Sequence, residues 1–374
     1  MISSTKSIRE DDVRPTRSLF VMRHSCPHRS RGPDLCRIHS RKAPLDCPAA
    51  HASYGVHETM PLRMGDFEPS GDDATRPPMH QNQVPLSVAQ VRRIVDEQFP
   101  QWRELTIRPV AGSGTVNRIF KLGDNLSARF PLVVDDPDDV LEYLQVEAAA
   151  ARELLGKTRF PTPEPVALGH PSADYPGPWS VHTWLTGTPA ANLDLSSSAA
   201  FARDVARFIA DVRAIPVRGR SFSGYGRGGD LRLHDEWMET CFNQSASLVD
   251  VPHLRSLWRK MRELPRKDAD IMTHGDVLPS NLVVENEALV GVLDPGGLGP
   301  ADPALDLMGV WSLFDDKPRQ LLRDELECSD IEWARGQAWA FQQAMGSVWY
   351  YVRSNPTMSE LGRRALERIT KAWV

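Results

Sequence analysis

The hydrophobic pattern of this chain changes period along its length, and that change limits what it can fold into. LTIRPVAGSG, VNRIFKLG and LSARFPLV are short apolar runs cut by Gly112-Ser113-Gly114 and Gly123-Asp124-Asn125, so they read as the three strands of a β-meander. A further apolar strand, WSVHTWL, follows the Pro-rich FPTPEPVALG and breaks at Thr186-Gly187. Helical spacing frames and then replaces this pattern. Ser87 caps VAQVRRIVDEQF, whose Val88, Val91, Ile94 and Val95 share a face. Residues 138–157 repeat Leu141, Leu144, Ala148, Ala151 and Leu155 at three and four, and residues 197–215 turn Phe201, Val205, Phe208, Val212 and Ile215 inward. Strands lead and helices follow, which defines an α+β molecule of two lobes joined near 186–195. The amino-terminal lobe, 85–187, holds the meander and a helix; the carboxy-terminal lobe, 188–374, is mostly helical.

Residues 1 to about 80 stand apart. They hold six of the eleven His and three of the five Cys, mixed with Arg, Pro and Asp without an apolar period. The expectation is disorder, for want of apolar surface to offset the entropy of ordering. The composition break equally fits a translation start downstream, at Met60, Met64 or Met79. Cys26, His28, Cys36, His39, Cys47 and His51 raise the question of zinc, but no C-x2-C spacing occurs among them. The apolar run at Leu19 to Met22 is too short for a signal peptide, and no 18-residue apolar run predicts a membrane span. A net charge of −5 supplies no basic field for nucleic acid. Five Cys without a secretory signal argue for a reducing compartment, so the expected location is cytoplasmic. No obligate protein partner is evident.

The stretch THGDVLPSNLVVENEALVGVLDPGG, residues 273–297, carries the chemistry. Leu282-Val283-Val284 and Leu289 to Leu293 are strand-like, and Glu285-Asn286-Glu287 is turn chemistry. Folding there returns Asn281 to the side of Asp294. Both are hard oxygen donors, and Mg²⁺ favours one or two such groups completed by phosphate oxygens and water. Asp276 lies in the loop that enters the hairpin, near the metal end and free to accept a proton. Upstream, Glu147 falls on or beside the buried stripe of its helix, where a carboxylate needs a partner or a route to solvent. Taken singly, each of these residues reads better as ordinary loop or edge chemistry.

Taken together, the order H-G-D-x-x-x-x-N, hairpin, Asp before glycines resembles the aminoglycoside phosphotransferase family of kinase-like enzymes. Ala301-Asp302-Pro303-Ala304-Leu305-Asp306-Leu307 is similar to that family's sequence after the metal Asp, and the likeness runs over roughly 85–374, through GRGGDL (226–231) and NPTMSEL (355–361). The resemblance implies a bilobed protein-kinase-like fold and ATP- and Mg²⁺-dependent phosphoryl transfer to a hydroxyl of a small molecule. It casts Asp276 as catalytic base, Asn281 and Asp294 as metal ligands, and Glu147 as the helix partner of Arg129 in the third strand. It places Ser113, Gly114 and Thr115 in the phosphate-covering loop and Thr183, Trp184 and Leu185 at the interlobe hinge that meets the nucleotide base. Asp306 and His274 would brace the catalytic loop.

Three departures qualify the likeness. Arg129 stands where Lys is usual; its planar, bidentate, permanently charged group can still bridge a phosphate and Glu147. Asn117 replaces the third glycine of a G-x-G-x-x-G loop, and Pro295 follows Asp294, fixing φ there. Aminoglycosides, macrolides and other metabolites all remain open as acceptors. A cationic acceptor would call for carboxylates in the helical lobe, with Asp235, Glu236 and Glu239 as candidates or as a solvated helix face. Trp333, Trp339, Met345 and Trp349 read as core. The competing functions are a catalytically silent kinase-like binding protein and a metal-dependent phosphoesterase; the latter needs several His and Asp clusters, and 85–374 offers few His.

Overall fold

The computed structural model describes residues 82–110, 116–224 and 226–373. The expected disorder of residues 1–80, their Cys and His residues, and Ser113, Gly114 and Thr115 lie outside the described residues.

The first lobe opens with α1 (Val88–Gln98), held by a capping box in which Ser87 and Gln90 satisfy each other's backbone N–H groups. Then come β1 (Ile107–Pro109), β2 (Asn117–Leu122), β3 (Leu126–Pro131), α2 (Pro137–Leu154), β4 (Pro165–Gly169) and β5 (Trp179–Thr183). The strands form one antiparallel sheet in the order β1-β2-β3-β5-β4. The meander is therefore present. The Pro-rich segment adds an edge strand, with Pro165 at its start and an irregular register before Ala167. One face of the sheet packs on Val91, Ile94 and Val95 of α1 through Phe120, Phe130, Trp179 and Val181. Phe130 stacks on Trp179 at 4.6 Å and meets Tyr175 edge-on at 5.1 Å.

The remainder is mostly helical. After β6 (Thr188–Pro189) come α3 (Ala199–Arg213), α4 (Asp235–Gln244), α5 (Val251–Met261), β7 (Ile271–Thr273), β8 (Leu282–Glu285), β9 (Ala288–Val292) and β10 (Gly299–Ala301). Four helices close the chain: α6 (Val310–Leu313), α7 (Asp316–Glu325), α8 (Asp330–Tyr350) and α9 (Pro356–Ala372). A second core gathers Phe201, Val205, Phe208 and Val212 of α3 with Met238, Trp311, Phe314, Trp339, Phe341 and Met345. Trp333 and Trp349 pack against its margin, so these aromatic residues are core as the sequence implied. Among the described residues no helix is long and apolar enough to cross a membrane.

Two details differ from the sequence pattern. The inward stripe of α2 runs through Leu144, Glu147, Ala151 and Leu154, while Leu155, expected inside, is 49% exposed just past the helix end. The reason is the geometry at the terminus: Leu155 leaves helical φ/ψ as the C-cap, so its side chain falls off the stripe. Two short strands, β7 and β10, also flank the His-Gly-Asp loop and the hairpin and pair antiparallel, Thr273 opposite Gly299.

The hairpin β8–β9 forms as expected, with Glu285 opposite Ala288 and a two-residue turn at Asn286 and Glu287. Both turn residues have positive φ, 51° and 63°, the type I′ conformation that matches strand twist. Glycine relieves the left-handed penalty at the second position, at some cost in unfolded-state entropy. Glu287→Gly is therefore expected to stabilise the protein slightly, by about 0.5 kcal/mol, read as a higher midpoint in urea denaturation.

Candidate active site

The site grows out of the hairpin's open end. The Leu293 N–H donates to the Asn281 carbonyl at 2.7 Å, one ladder step beyond β8–β9. That bond sets Asn281 beside the start of the Asp294 turn. Asp294 itself is left-handed, φ 57° and ψ 65°, and Pro295 begins a short 3-10 turn directly after it. A non-glycine residue in that region carries strain, here at a carboxylate that points inward. The Asn281 amide nitrogen donates to both the carbonyl and the Oδ2 of Asp276, at 3.0 and 2.8 Å. The amide oxygen is thereby turned away from Asp276.

The His-Gly-Asp loop is fixed from below. Asp306, fully buried, accepts the His274 N–H on Oδ2 and the Gly275 N–H on Oδ1, both at 2.8 Å. Burial pushes the Asp306 carboxyl above its ordinary range, opposed by His274 and these two amides. Burial also lowers the His274 imidazole, with Asp306 opposing. Gly275 has φ 81°, and a Cβ there would sit 2.8 Å from the Gly297 carbonyl. A Cβ on Gly297 would meet the His274 carbonyl at the same distance. The two glycines let the loop bearing Asp276 and the loop bearing Asp294 lie backbone to backbone. The expected brace by Asp306 is thus present in the geometry.

Helix α2 delivers the next group. Glu147 is 1% exposed and is hydrogen-bonded to Arg129 of β3. The sequence expectation that Glu147 faces inward and meets Arg129 holds. Gly296 lies against this pair: a Cβ there would be 3.6 Å from Glu147 Cγ and 3.7 Å from Asp294 Oδ1. Burial raises the Glu147 carboxyl, against the pull of Arg129. Burial likewise raises Asp294, with Asp276 adding to the rise and Arg129 opposing it. For Arg129 the desolvation cost is outweighed by Glu147, Asp294 and Tyr143, which hold it above its ordinary value. Breaking this buried pair leaves a cation without its main partner. Glu147→Ala is expected to cost about 3 kcal/mol, measured by urea denaturation, with Asp294 offsetting part of the loss.

Several buried atoms in this cluster have no partner: Asp294 Oδ1, Glu147 Oε2 and Arg129 Nε. Unpaired carboxylate oxygens in a buried place are costly unless something charged completes them. A hard divalent cation fits Asp294 Oδ1 and the Asn281 amide oxygen on chemistry. Among the described residues no group of three or more His, Cys, Asp or Glu could cage a metal alone. The remaining positions of such an ion would fall to phosphate and water.

At the hinge, the Thr183 N–H donates to the Glu164 carbonyl and the Trp184 N–H to the Asn125 carbonyl, at 2.9 and 2.8 Å. Two of the three backbone N–H groups of the expected hinge segment are therefore used within the sheet margin. Lys121 Nζ stands 5.2 Å from the Trp184 ring centroid, and Leu185 packs on Gly291, where a Cβ would approach its Cδ1 to 2.6 Å. His182, adjacent on β5, is 1% exposed, and burial holds its pKa down to about 3.

Two residues near Asp276 escaped the sequence reading. Tyr143 of α2 lies within electrostatic reach of Asp294, Glu147, Arg129 and Asp276, and burial raises its phenol well above the usual value. Its place one helical turn before Glu147 was a signal that could have found it. Arg227, in the GRGGDL loop, donates from one guanidinium nitrogen to Asp276 Oδ1 at 2.9 Å. Its other terminal nitrogen meets Gln343 of α8 and lies 3.3 Å from Met308 Sδ. The carboxylates offered for a cationic acceptor are largely spoken for. Asp235 accepts from Trp258 Nε1 at 3.0 Å and Arg262 Nε at 2.8 Å, and Glu239 pairs with Arg255, while Glu236 is exposed.

A small sheet lobe, a helical lobe and this constellation between them define a protein-kinase-like fold. The sequence model of the phosphotransferase enzyme family matches residues 106–339, more than half of the chain, and the chain belongs to that family. The fold is similar to aminoglycoside 2′-phosphotransferase-IIIa in its GDP complex, at 16% identity and a TM-score of 0.59, covering 76% of this chain and 99% of that one. It is also similar to APH(2″)-IIa in a gentamicin complex, at 18% identity and a TM-score of 0.53, covering 76% and 97%. A macrolide 2′-phosphotransferase type I aligns at 15% identity and a TM-score of 0.51, covering 75% and 98%. Comparison with curated protein sequences finds no match.

Proposed function

We propose that the protein transfers the γ-phosphoryl group of ATP, with Mg²⁺, to a hydroxyl of a small molecule. The observation that carries this reading is the convergence of Asp276, Asn281 and Asp294 at one hairpin end, with Arg129 and Glu147 from the other lobe beside Asp294. Phosphoryl transfer passes through a loose transition state, so positioning and charge neutralisation do most of the work. Mg²⁺ held by Asn281 and Asp294 would neutralise charge building on the phosphate oxygens.

Arg129 is the group on this chain suited to the phosphates: Glu147 orients it, and its Nε has no partner in the fold. Asp276 positions the acceptor hydroxyl and takes its proton late, so it need not be a strong base. Asn281 holds the Asp276 carboxylate in place while turning its amide oxygen to the metal side. The Thr183–Leu185 segment contacts the base through its carbonyls and the Leu185 amide, since the other two amides are engaged. Ser113, Gly114 and Thr115 cover the phosphates in this reading.

The test is product formation from ATP, and in parallel GTP, across a hydroxylated compound library, with Mg²⁺ and nucleotide binding measured by calorimetry. Metal-dependent nucleotide binding with a phosphorylated product supports the reading. Nucleotide binding without any product supports the alternative of a silent kinase-like protein that binds nucleotide or another small molecule, and no nucleotide binding removes the phosphotransferase reading.

A further inference from the structure

We propose that Arg227 sets the acceptor class: the molecule phosphorylated carries a carboxylate or phosphate close to its reacting hydroxyl, and Arg227 takes that anionic group. The assignment rests on the phosphotransferase reading above and deepens it.

Three observations carry it. First, any hydroxyl that reaches Asp276 must come in beside the Arg227 guanidinium, which already bonds Asp276 Oδ1 at 2.9 Å. The other carboxylate oxygen is held by Asn281 at 2.8 Å. A guanidinium has five donors in a planar fork, so it can keep Asp276 and still present N–H groups to a second anion. Arg227 is 15% exposed, so it is largely but not wholly enclosed.

Second, the loop is built to present this residue. The Gly228 carbonyl accepts from the Asp302 N–H at 3.0 Å, and the Gly229 carbonyl accepts from Arg335 at 2.9 Å, a guanidinium only 2% exposed. Gly228 has φ 104° and packs so closely that a Cβ would be 2.7 Å from Ala301 Cβ. On the other side Gln343 and Met308 hold the guanidinium itself. A swinging surface arginine would not need these constraints.

Third, of the three α4 carboxylates that a polyamine could use, two are already paired, and Glu236 is exposed. Asp235 is bonded to Arg262 and Trp258, and Glu239 to Arg255. An acceptor bearing an ammonium group there would find the Asp276 carboxylate already shared between Arg227 and Asn281. An acceptor with an anionic group gains a charge-assisted, geometrically matched hydrogen bond there.

The chemistry balances without a further reagent. The acceptor oxygen forms a bond to the γ-phosphorus, the bond from that phosphorus to the bridging oxygen of ADP breaks, and the hydroxyl proton passes to Asp276 and then to solvent. Arg227 neither gives nor takes a proton.

The experiment compares initial rates of phosphorylated-product formation with four acceptor sets: aminosugars such as kanamycin, neutral polyols such as glycerol and glucose, hydroxy acids such as D-glycerate, and alcohol phosphates such as glycerol 3-phosphate. The expected result is turnover confined to the last two sets, whose relative rates tell carboxylate from phosphate. Arg227→Gln is expected to raise the acceptor KM about 10- to 100-fold while leaving the KM for ATP unchanged, and Arg227→Lys to recover part of the loss. A purely structural role would instead lower kcat and shift both KM values together. Preferred turnover of aminosugars or neutral polyols, or an unchanged acceptor KM in Arg227→Gln, overturns the proposal. Absence of turnover with every set also overturns it; calorimetric ATP binding then decides whether the phosphotransferase reading falls with it.

Discussion

Asp276→Ala is expected to lower kcat for phosphoryl transfer about 10²- to 10⁴-fold, while nucleotide affinity stays within a few-fold of wild type. The carboxylate contributes in two ways: it orients the acceptor hydroxyl and it receives the proton. Its removal also frees Arg227 and the Asn281 amide nitrogen, which now share its two oxygens. Both retain other partners or solvent, so the fold should tolerate the change: Arg227 keeps Gln343, and Asn281 keeps the Asp276 backbone carbonyl at 3.0 Å. Single-turnover measurement with saturating ATP separates the effect on chemistry from any effect on binding. If the variant turned over at the wild-type rate, Asp276 would be a loop residue, and the assignment of the whole hairpin end would lose its centre. Asp276→Asn adds a second reading of the same site: it keeps the volume but removes the charge facing Arg227 and the capacity to take the proton.

The site was legible in the sequence where local chemistry fixed long-range geometry. The turn at Asn286-Glu287 cancels the distance between Asn281 and Asp294, and a register shift between Val283 and Val284 then brings the Leu293 N–H to the Asn281 carbonyl. Glu147 could be placed on its apolar stripe, where a carboxylate needs a partner or a route to solvent, and the family resemblance named Arg129 as that partner. Other parts were not legible for equally physical reasons. The β7–β10 pair uses only three residues per strand, too few to show a period, and two of those in β10 are Gly299 and Pro300. β4 begins at a proline and lies at the sheet edge, so its sequence carries turn signals rather than alternation. Arg227 sits in a glycine-rich loop with no periodicity, 49 residues from Asp276, and nothing local ties the two together. Its position comes from tertiary bonds of its loop to Asp302, just after β10, and to Arg335 and Gln343 of α8, both far along the chain.

That dependence on the segment after Asp294 points to the variant with the largest structural effect. Asp306→Ala is expected to destabilise the protein by about 3–5 kcal/mol and to abolish most of the activity, although Asp306 contacts neither phosphate nor acceptor in the proposed reaction. Its two oxygens each satisfy one buried amide, His274 N–H and Gly275 N–H. Alanine strands both donors where no water reaches them, since Asp306 and His274 are fully buried. An unsatisfied buried N–H costs about 1–3 kcal/mol, and two in succession release the backbone turn at Gly275 that aims Asp276. Asparagine is not a mild replacement: its amide can accept from only one of the two N–H groups, and its own NH₂ faces the other donor. The order expected is therefore wild type, then Asp306→Asn, then Asp306→Ala, both in urea midpoint and in kcat, with the loss of kcat exceeding the loss of ATP affinity. Equal stability of the Ala variant and wild type would mean that the His-Gly-Asp loop keeps its shape without Asp306. The close backbone contact between Gly275 and Gly297 would then be what holds Asp276 in place.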